Sequence, residues 1–286
     1  MKILTFGEII WDVYGDEKVI GGAAFNFAAH AGHLGHDSYL ISALGNDELG
    51  DEALILGENH LINMSLVQRN GYETGKCVVT LNDRGVPVFN VQTGSAYDMI
   101  ECGDELIERI KEIKPDMLCF GTLIQRSPIS RRSIRRIVSE SGIRNVFCDI
   151  NIRKDCYDRD SLDYCLSRAT IVKISDEEGH FIADLGLVDD SDVYLPKKVA
   201  AAYANLEYVV YTLGSKGSEV FETATGITYK SGRPGNVKVV STVGAGDCFG
   251  ATFSTSLLSG CSVPEAIRRA TDRSDIVVAH REAIPF

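Results

Sequence analysis

The chain has 286 residues, of which 44% are hydrophobic and 24% charged, values that are ordinary for a globular enzyme with one large α/β domain. Its formal net charge of −11 argues against nucleic acid and anionic membranes as partners, because both are polyanions. No apolar run approaches the roughly 20 residues that a membrane helix needs, and the first 17 residues lack the apolar stretch of a signal peptide, so we expect a cytoplasmic protein.

The first third of the chain mixes strands and helices. Predicted strands lie at 3–7 and 38–44, predicted helices at 23–34 and 47–59, and two β-like runs at 76–81 and 86–91. Gly21 and Gly22 open the first helix, along which apolar residues recur at the spacing of one buried helix face. Residues 82–85 separate the two β-like runs, and Gly85 in this segment predicts a hairpin.

From residue 104 onward helices and strands alternate. Helices are predicted at 104–114, 128–141, 161–169 and 192–205, and strands at 116–121, 145–150, 170–174 and 207–213. Such alternation is typical of βαβ units and a mostly parallel sheet. Two more helices, 246–260 and 264–282, follow one another near the end of the chain.

The segment richest in chemistry lies where a β-like run ends in Gly244, Ala245 and Gly246 and a helix begins at about Asp247. Glycines let the backbone approach a ligand closely, and the free N–H groups of a helix start attract phosphate. A carboxylate there would repel a resting phosphate, but it is useful if it takes a proton from an attacking hydroxyl. The alternative is structural: Gly246 provides a tight turn and Asp247 caps the helix.

Other phosphate-binding motifs do not match. The glycines of 244–250 follow GxGxxxG rather than the dinucleotide pattern GxGxxG, and the residues after them are predicted to be entirely helical. The nearest Walker A candidate, 71–77, has the wrong spacing and lacks the terminal hydroxyl. The VAIK and HRD motifs of protein kinases are absent from the sequence.

Taken in order, several segments resemble the signatures of the ribokinase-like (PfkB) carbohydrate kinases, and within them fructokinases. They are Phe6–Glu8 with Asp12, Gly21–Asn26, the G-x-D-x-x-G turn Gly45–Gly50, the D-x-N-x-R run Asp149–Arg153, the loop Tyr211–Gly217, and Thr242–Asp247. The resemblance implies a single domain, 1–286, built as a doubly wound, mostly parallel α/β/α sandwich. It also implies a small β lid from roughly 13–20 and 72–98, which closes over the sugar and pairs two copies into a homodimer.

The resemblance also implies roles for individual residues. Asp12 and Asn26 would hydrogen-bond sugar hydroxyls, Gly22 would let the backbone approach the ring, and Gln125 would lie near the substrate. Asp247 would be the general base, the amides of Gly244, Ala245 and Gly246 the anion hole, and Arg153 a guanidinium beside the transferred phosphate. Plain structural roles are the alternatives: a turn cap for Asp12, a surface helix position for Asn26 and a surface salt bridge for Arg153.

The cofactors implied are ATP and Mg²⁺. The residues expected to line ATP are Lys173, Ser175, Thr212, Gly214, Gly217 and Thr271. Glu178 would hold Mg²⁺ through water, since Mg²⁺ keeps several waters. The structural alternatives are an acid-rich first helical turn at 176–178 and an ordinary glycine turn at 214–217.

The sequence departs from the family pattern at three places. Ser241 stands where relatives carry Asp, and Glu282 where they carry Gly. Both positions help bind a monovalent cation in relatives, so that site is doubtful here. The helix flanking adenine, which has small residues in relatives, is charged at 271–275.

The function expected from these features is phosphorylation of fructose by ATP. The start at 6–8, the glycines at 21–22 and the run 149–153 together favour fructose. A ribose, nucleoside or 2-keto-3-deoxygluconate kinase of the same family remains the alternative. A non-catalytic sugar- or nucleotide-binding regulator is a second one, against which the retained Asp247 argues.

Overall fold

The computed structural model describes the chain except residues 82–86, 190, 192 and 233–236. The chain divides into two compact units, the first formed by 1–115 and 124–142, the second by 116–123 and 143–286. In the described part of the chain, no helix is long and apolar enough to cross a membrane.

The first unit contains a parallel set of strands and a small separate sheet. Its strands are β1 (Lys2–Phe6), β2 (Ile10–Tyr14), β3 (Glu17–Gly21), β4 (Asp37–Gly45), β5 (Ile62–Asn63), β6 (Val67–Asn70), β7 (Gly75–Leu81) and β8 (Pro87–Val91). Its helices are α1 (Ala23–His33), α2 (Glu48–Asn59), α3 (Asp104–Ile113) and α4 (Pro128–Glu140). Strand β4 runs parallel to β1, β5 and β6.

Helix α1 packs tightly because its buried residues include many alanines. A β-carbon at Gly7, just after β1, would lie 2.5 Å from the Cβ of Ala24, so only glycine allows this approach. The helix ends one residue before the predicted Leu34, and Gly35 follows with φ +84, a left-handed stop that glycine adopts at low cost.

The small sheet has the strand order β3-β2-β7-β8. Strands β2 and β3 form an antiparallel hairpin, β7 runs parallel to β2 with Cys77 opposite Asp12, and β8 returns antiparallel to β7. The sheet therefore begins at Ile10, three residues before the lid segment expected from the sequence. The hairpin turn predicted at 82–85 lies outside the described residues.

The second unit contains a further set of parallel strands, with an antiparallel hairpin. Its elements are β9 (Met117–Gly121), β10 (Asn145–Asp149), α5 (Arg159–Arg168), β11 (Ile171–Ser175), α6 (Gly179–Asp184), α7 (Leu195–Ala202), β12 (Tyr208–Thr212), β13 (Ser218–Glu222), β14 (Ile227–Ser231), α8 (Ala245–Leu258) and α9 (Val263–Val278). Strands β9, β10, β11 and β12 are parallel, and β13 and β14 add an antiparallel hairpin. The predicted α/β class with a mostly parallel sheet is confirmed, and a second, small sheet is present.

Two helices differ from the prediction by three or more residues at an end. Helix α7 is shorter than predicted and has Pro196 in its first turn. Helix α9 is capped by the Ser262 hydroxyl, which accepts a hydrogen bond from the amide of Glu265, and it ends at Val278 rather than at 282. Residues 279–282, which were predicted to be helical, lie beyond the end of α9 in the C-terminal segment. Ala283 of this segment packs on Gly244 at the start of α8.

Candidate functional site

The start of helix α8 is built around Gly244. This residue is the N-cap, with φ +79, and a β-carbon there would lie 2.6 Å from the Cβ of Ala283. The helix begins at Ala245, and no side chain caps it. Asp247 is therefore the third helical residue and not the N-cap. The amide of Ala245 donates to the carbonyl of Thr242 at 3.3 Å, and helix starts of this kind can bind an anion through their other backbone amides.

Lys173 brings an ammonium group to this helix start. A β-carbon at Gly246 would lie 3.3 Å from the Nζ of Lys173, so a side chain at this position would crowd the ammonium. The same Nζ donates to both carboxylate oxygens of Asp149, at 2.9 and 2.8 Å. Asp149 and Lys173 lie directly opposite each other on β10 and β11, and both are buried.

The electrostatics of this cluster are dominated by carboxylates. Burial raises the pKa of Asp149 to about 6; Lys173 opposes that shift, and the charges of Glu178 and Asp247 add to it. Burial lowers the pKa of Lys173, but the carboxylates of Asp149, Glu178 and Asp247 outweigh it, so that pKa lies above its usual value. Three carboxylates thus surround one ammonium. A polyanionic ligand would be repelled unless a cation accompanied it.

Glu178 is held by two backbone amides. Its Oε1 accepts from the amide of Ile152 at 2.7 Å and its Oε2 from the amide of Ser175 at 2.8 Å, which joins the end of β11 to the loop after β10. Each oxygen keeps a further lone pair. No group of three or more metal-ligating side chains occurs among the described residues. This arrangement fits Mg²⁺ held through water by Glu178, and not a cage of protein ligands.

Arg153 is exposed and bonded within its own loop. Its Nη1 donates to Oδ1 of Asn151 at 2.7 Å and to the carbonyl of Ile152 at 3.2 Å. The loop lines a cavity of about 680 Å³ whose wall also includes Lys173, Ser175 and Glu178. The structure therefore brings four predicted site residues to one cavity.

The predicted nucleotide loop follows β12. Thr212 is paired in register with Ser175 on β11. Gly214 has φ +55 and Gly217 has φ +100, and a β-carbon at Gly217 would lie 1.9 Å from the carbonyl oxygen of Ser231. Glycine at 217 is therefore required by the β13–β14 hairpin whether or not a nucleotide binds. The geometry of this loop fits both a nucleotide-binding loop and an ordinary glycine turn.

Helix α9 lies against the start of α8. Ser274 donates from its hydroxyl to the carbonyl of Ala245 at 3.1 Å. Thr271, the predicted adenine contact, is half-buried one turn earlier on the same helix. The Arg273 guanidinium stacks on Phe286, with its Cζ 3.7 Å from the ring centroid. The charged residues in this stretch thus include one that binds the C-terminal segment.

In the first unit, the predicted sugar residues meet at the glycine pair before α1. A β-carbon at Gly21 would lie 3.4 Å from Oδ2 of Asp12 and 4.0 Å from Oδ1 of Asn26. Gly22, the N-cap of α1, has φ +103, and a β-carbon there would lie 2.7 Å from the carbonyl oxygen of Glu8. The structure therefore places a carboxylate and an amide beside backbone that carries no side chain.

Two residues of the first unit were not predicted as parts of the site. Glu8 is buried, and its Oε1 accepts from the amide of Ala23 at 2.8 Å, which ties the segment after β1 to the start of α1. The sequence motif contained Glu8 but gave no sign of this bond.

Gln125, which was predicted, is buried, and its main-chain carbonyl accepts from Nε of Arg131 at 2.5 Å. Arg126 beside it forms a buried ion pair with Asp98 that the sequence did not indicate.

Comparisons with known proteins identify the family of the chain. Residues 2–286 match the pfkB family carbohydrate kinase domain. An ATP-dependent 6-phosphofructokinase of Thermoanaerobacterium thermosaccharolyticum is 28% identical, covering 93% of this chain and 84% of that protein. Probable fructokinase-4 of Arabidopsis thaliana is 26% identical, covering 99% and 92%.

A solved structure shares the fold over nearly the whole length. The crystal structure of a putative Ribokinase II in complex with ATP and Mg²⁺ from E. coli superposes with a TM-score of 0.83 at 19% identity, covering 99% of this chain and 94% of that one. The predicted family resemblance is confirmed by the match over the full chain. The protein belongs to the PfkB family of carbohydrate kinases.

Proposed function

We propose that this carbohydrate kinase transfers the γ-phosphate of ATP to a hydroxyl of fructose, with Asp247 as the general base. The observation that carries the proposal is the start of α8, where an uncapped helix turn holds Asp247 while the ammonium of Lys173 lies against Gly246. Donors for a transferring phosphoryl group and a carboxylate for the attacking hydroxyl thus occur on one helical turn. ATP is bound by the E. coli relative of the same fold.

The residues of this turn have separate roles in the proposed phosphoryl transfer. The amides of Gly244, Ala245 and Gly246 and the dipole of α8 stabilise the negative charge that spreads over the transferred group. Lys173 adds a positive charge at the same place. Asp247 accepts the proton of the sugar hydroxyl as the new bond to phosphorus forms.

Magnesium completes the charge balance in this proposal. When bound with ATP, Mg²⁺ would offset the negative charge of the phosphates. Glu178 would hold it through water, while its two amide bonds keep the carboxylate in place. Ser175, Thr212, Gly214, Gly217 and Thr271 remain the proposed nucleotide contacts, and Arg153 the proposed guanidinium at the wall of the cavity.

The sugar would bind in the first unit. The Asp12 carboxylate accepts hydrogen bonds, and the Asn26 amide both accepts and donates them, which suits a ring of hydroxyl groups. Gly21 leaves room beside both side chains, and Gly22 is proposed to let the backbone approach the ring. Fructose is favoured because the relatives include a probable fructokinase. Gln125 is kept as a further proposed contact.

Fructose 6-phosphate is considered as a second acceptor because a relative is named a 6-phosphofructokinase. Both acceptors share the fructose skeleton. Recognition of the extra phosphate would call for an arginine or lysine near the sugar. Arg126 is already bonded to Asp98, and Lys76 to Glu73. Fructose 6-phosphate is therefore included in the acceptor panel below.

The small sheet is proposed as a lid over the sugar, within a single kinase domain. Covering the sugar would exclude water and so suppress hydrolysis of ATP. Val78 on this sheet is 45% exposed and lies opposite Val13 on β2. A second copy of the chain is the proposed partner of this face, since an exposed apolar sheet needs cover.

We propose that the two departures from the family pattern, Ser241 and Glu282, weaken a monovalent cation site. The Ser241 hydroxyl accepts a hydrogen bond from the amide of Val243 at 3.2 Å. Glu282 is exposed, and the next residue, Ala283, is packed on Gly244. A serine hydroxyl offers a dipole where a carboxylate would offer a full charge. We therefore propose no role for a monovalent cation in the reaction.

Acceptor preference is the first prediction. ADP release would be measured with fructose, fructose 6-phosphate, ribose, a nucleoside and 2-keto-3-deoxygluconate at saturating ATP and Mg²⁺. We expect kcat/KM to be highest for fructose, by at least about tenfold, because leaving one buried hydrogen-bonding group unpaired costs about 1–3 kcal/mol. A higher kcat/KM for another acceptor would mean that this acceptor, and not fructose, is the preferred substrate. No stimulation by any sugar would favour the non-catalytic regulator.

A further inference from the structure

A buried ion pair in the first unit has no place in the chemistry described above. Arg126 donates from Nε to Oδ1 of Asp98 at 2.9 Å and from Nη2 to Oδ2 at 2.8 Å, a bidentate fork. The two side chains are only 10% and 4% exposed. The same Nη2 donates to the carbonyl of Gln92 at 2.5 Å and to the hydroxyl of Tyr97 at 2.6 Å. Such a desolvated charge pair has a demanding geometry that lysine cannot reproduce.

The Arg126 side chain is bonded to Gln92, Tyr97 and Asp98, which all belong to the segment 92–98 that leads away from β8. This segment and residues 73–76, which lead into β7, are together called the hinge. The amide of Gln92 donates to the carbonyl of Lys76 at 2.9 Å, and the amide of Ala96 to the carbonyl of Glu73 at 2.8 Å. A β-carbon at Gly75 would lie 2.6 Å from the ring of Tyr97. The hinge is therefore closely packed, and the Arg126 fork holds one of its two segments.

Proposed sugar contacts lie on both sides of the Arg126–Asp98 ion pair. Arg126 directly follows Gln125, and the turn they share is fixed by Arg131 and by the hydroxyl of Ser127, which donates to the carbonyl of Asp98. On the other side, β7 pairs with β2, where Cys77 lies opposite Asp12. The fork thus connects the turn that holds Gln125 with the sheet that holds Asp12.

We propose that Arg126 and Asp98 are positioning residues for the acceptor: their fork fixes the hinge, and through it the distance between the Asp12 and Gln125 sides of the sugar site. The identity of the acceptor rests on the proposed function, but the mechanical role does not. The pair acts through the hinge and touches no reacting atom. Its loss therefore weakens sugar binding and leaves ATP binding, whose proposed contacts lie in the second unit, nearly unchanged.

The test compares Arg126→Lys with Arg109→Lys. The first keeps the charge and removes the fork; the second alters an exposed arginine paired with Glu112 on α3. We expect Arg126→Lys to raise KM for the sugar about tenfold, the usual effect of losing one charge-assisted hydrogen bond, with KM for ATP changed less than twofold. The control should change neither. An equal rise in both KM values, or no rise, contradicts the proposal.

A measurement without turnover separates this proposal from the proposed function. Hydrogen–deuterium exchange should accelerate at least about tenfold at the amides of Gln92 and Ala96 in Arg126→Lys, because a loosened hinge opens more often. Exchange in α3 should stay unchanged. Unaltered hinge exchange overturns the proposal even if fructose is the acceptor. If Arg126→Lys does not fold, the neutral pair Arg126→Gln with Asp98→Asn is measured in its place, with the same expected and contrary results.

Discussion

Replacement of Asp247 by asparagine is expected to abolish turnover while ATP and fructose still bind. The amide keeps the size and shape of the side chain on the third residue of α8 but cannot take a proton. Loss of a general base lowers kcat about 10²–10⁴-fold, and more when the same group also orients the nucleophile. The kcat is measured by ADP release, and binding of each substrate by calorimetry.

Asp160→Asn is the matched control, because Asp160 also lies in the first turn of a helix, α5, but is exposed. It should keep kcat within about twofold, as surface substitutions usually have small effects. If Asp247→Asn retained more than a tenth of the wild-type kcat, Asp247 would be excluded as the base. A large loss of ATP binding in the same variant would assign it to nucleotide binding instead.

Replacement of Asp12 by alanine is expected to raise KM for the sugar far more than KM for ATP. Asp12 lies on β2 beside Gly21, and the proposed ATP residues all belong to the second unit. A hydrogen bond to a charged group contributes about 1.5–3 kcal/mol, or roughly 10–150-fold in KM. Steady-state kinetics with each substrate varied in turn measures the two effects.

Asp16→Ala serves as the control, because Asp16 is exposed in the turn between β2 and β3, four residues along the same hairpin. It should leave both KM values near the wild type. Asp12→Asn separates charge from shape, and an intermediate KM for the sugar is expected from it. Equal effects of Asp12→Ala on sugar and ATP would count against a sugar contact.

The parallel part of the fold could be predicted because each strand carries a buried apolar run and each helix an apolar face. The β13–β14 hairpin was missed, since Ile227 is 48% exposed and polar residues alternate without a clear buried run. Gly226, with φ +68, is the one local turn signal there. Helix α6 was missed because it is only six residues long.

The motifs named the candidate site residues, but the contacts of these residues could not be predicted from spacing. Asp149 and Lys173 are 24 residues apart and meet because β10 and β11 are paired in one register. Register depends on how both strands pack, which one sequence does not show. The same holds for Arg126 and Asp98, which come together through segments 28 residues apart. Asp247 and its glycines were recognisable because their chemistry lies within one short segment.

The central claim is that a phosphoryl group passes from ATP to a sugar hydroxyl. The most direct measurement follows ATP labelled in its γ-phosphate, incubated with the protein, Mg²⁺ and fructose, with products separated and identified by mass. The account predicts one labelled fructose monophosphate for each ADP formed, and neither product when fructose is omitted. Label recovered only as inorganic phosphate, or ADP formed equally without sugar, would contradict it.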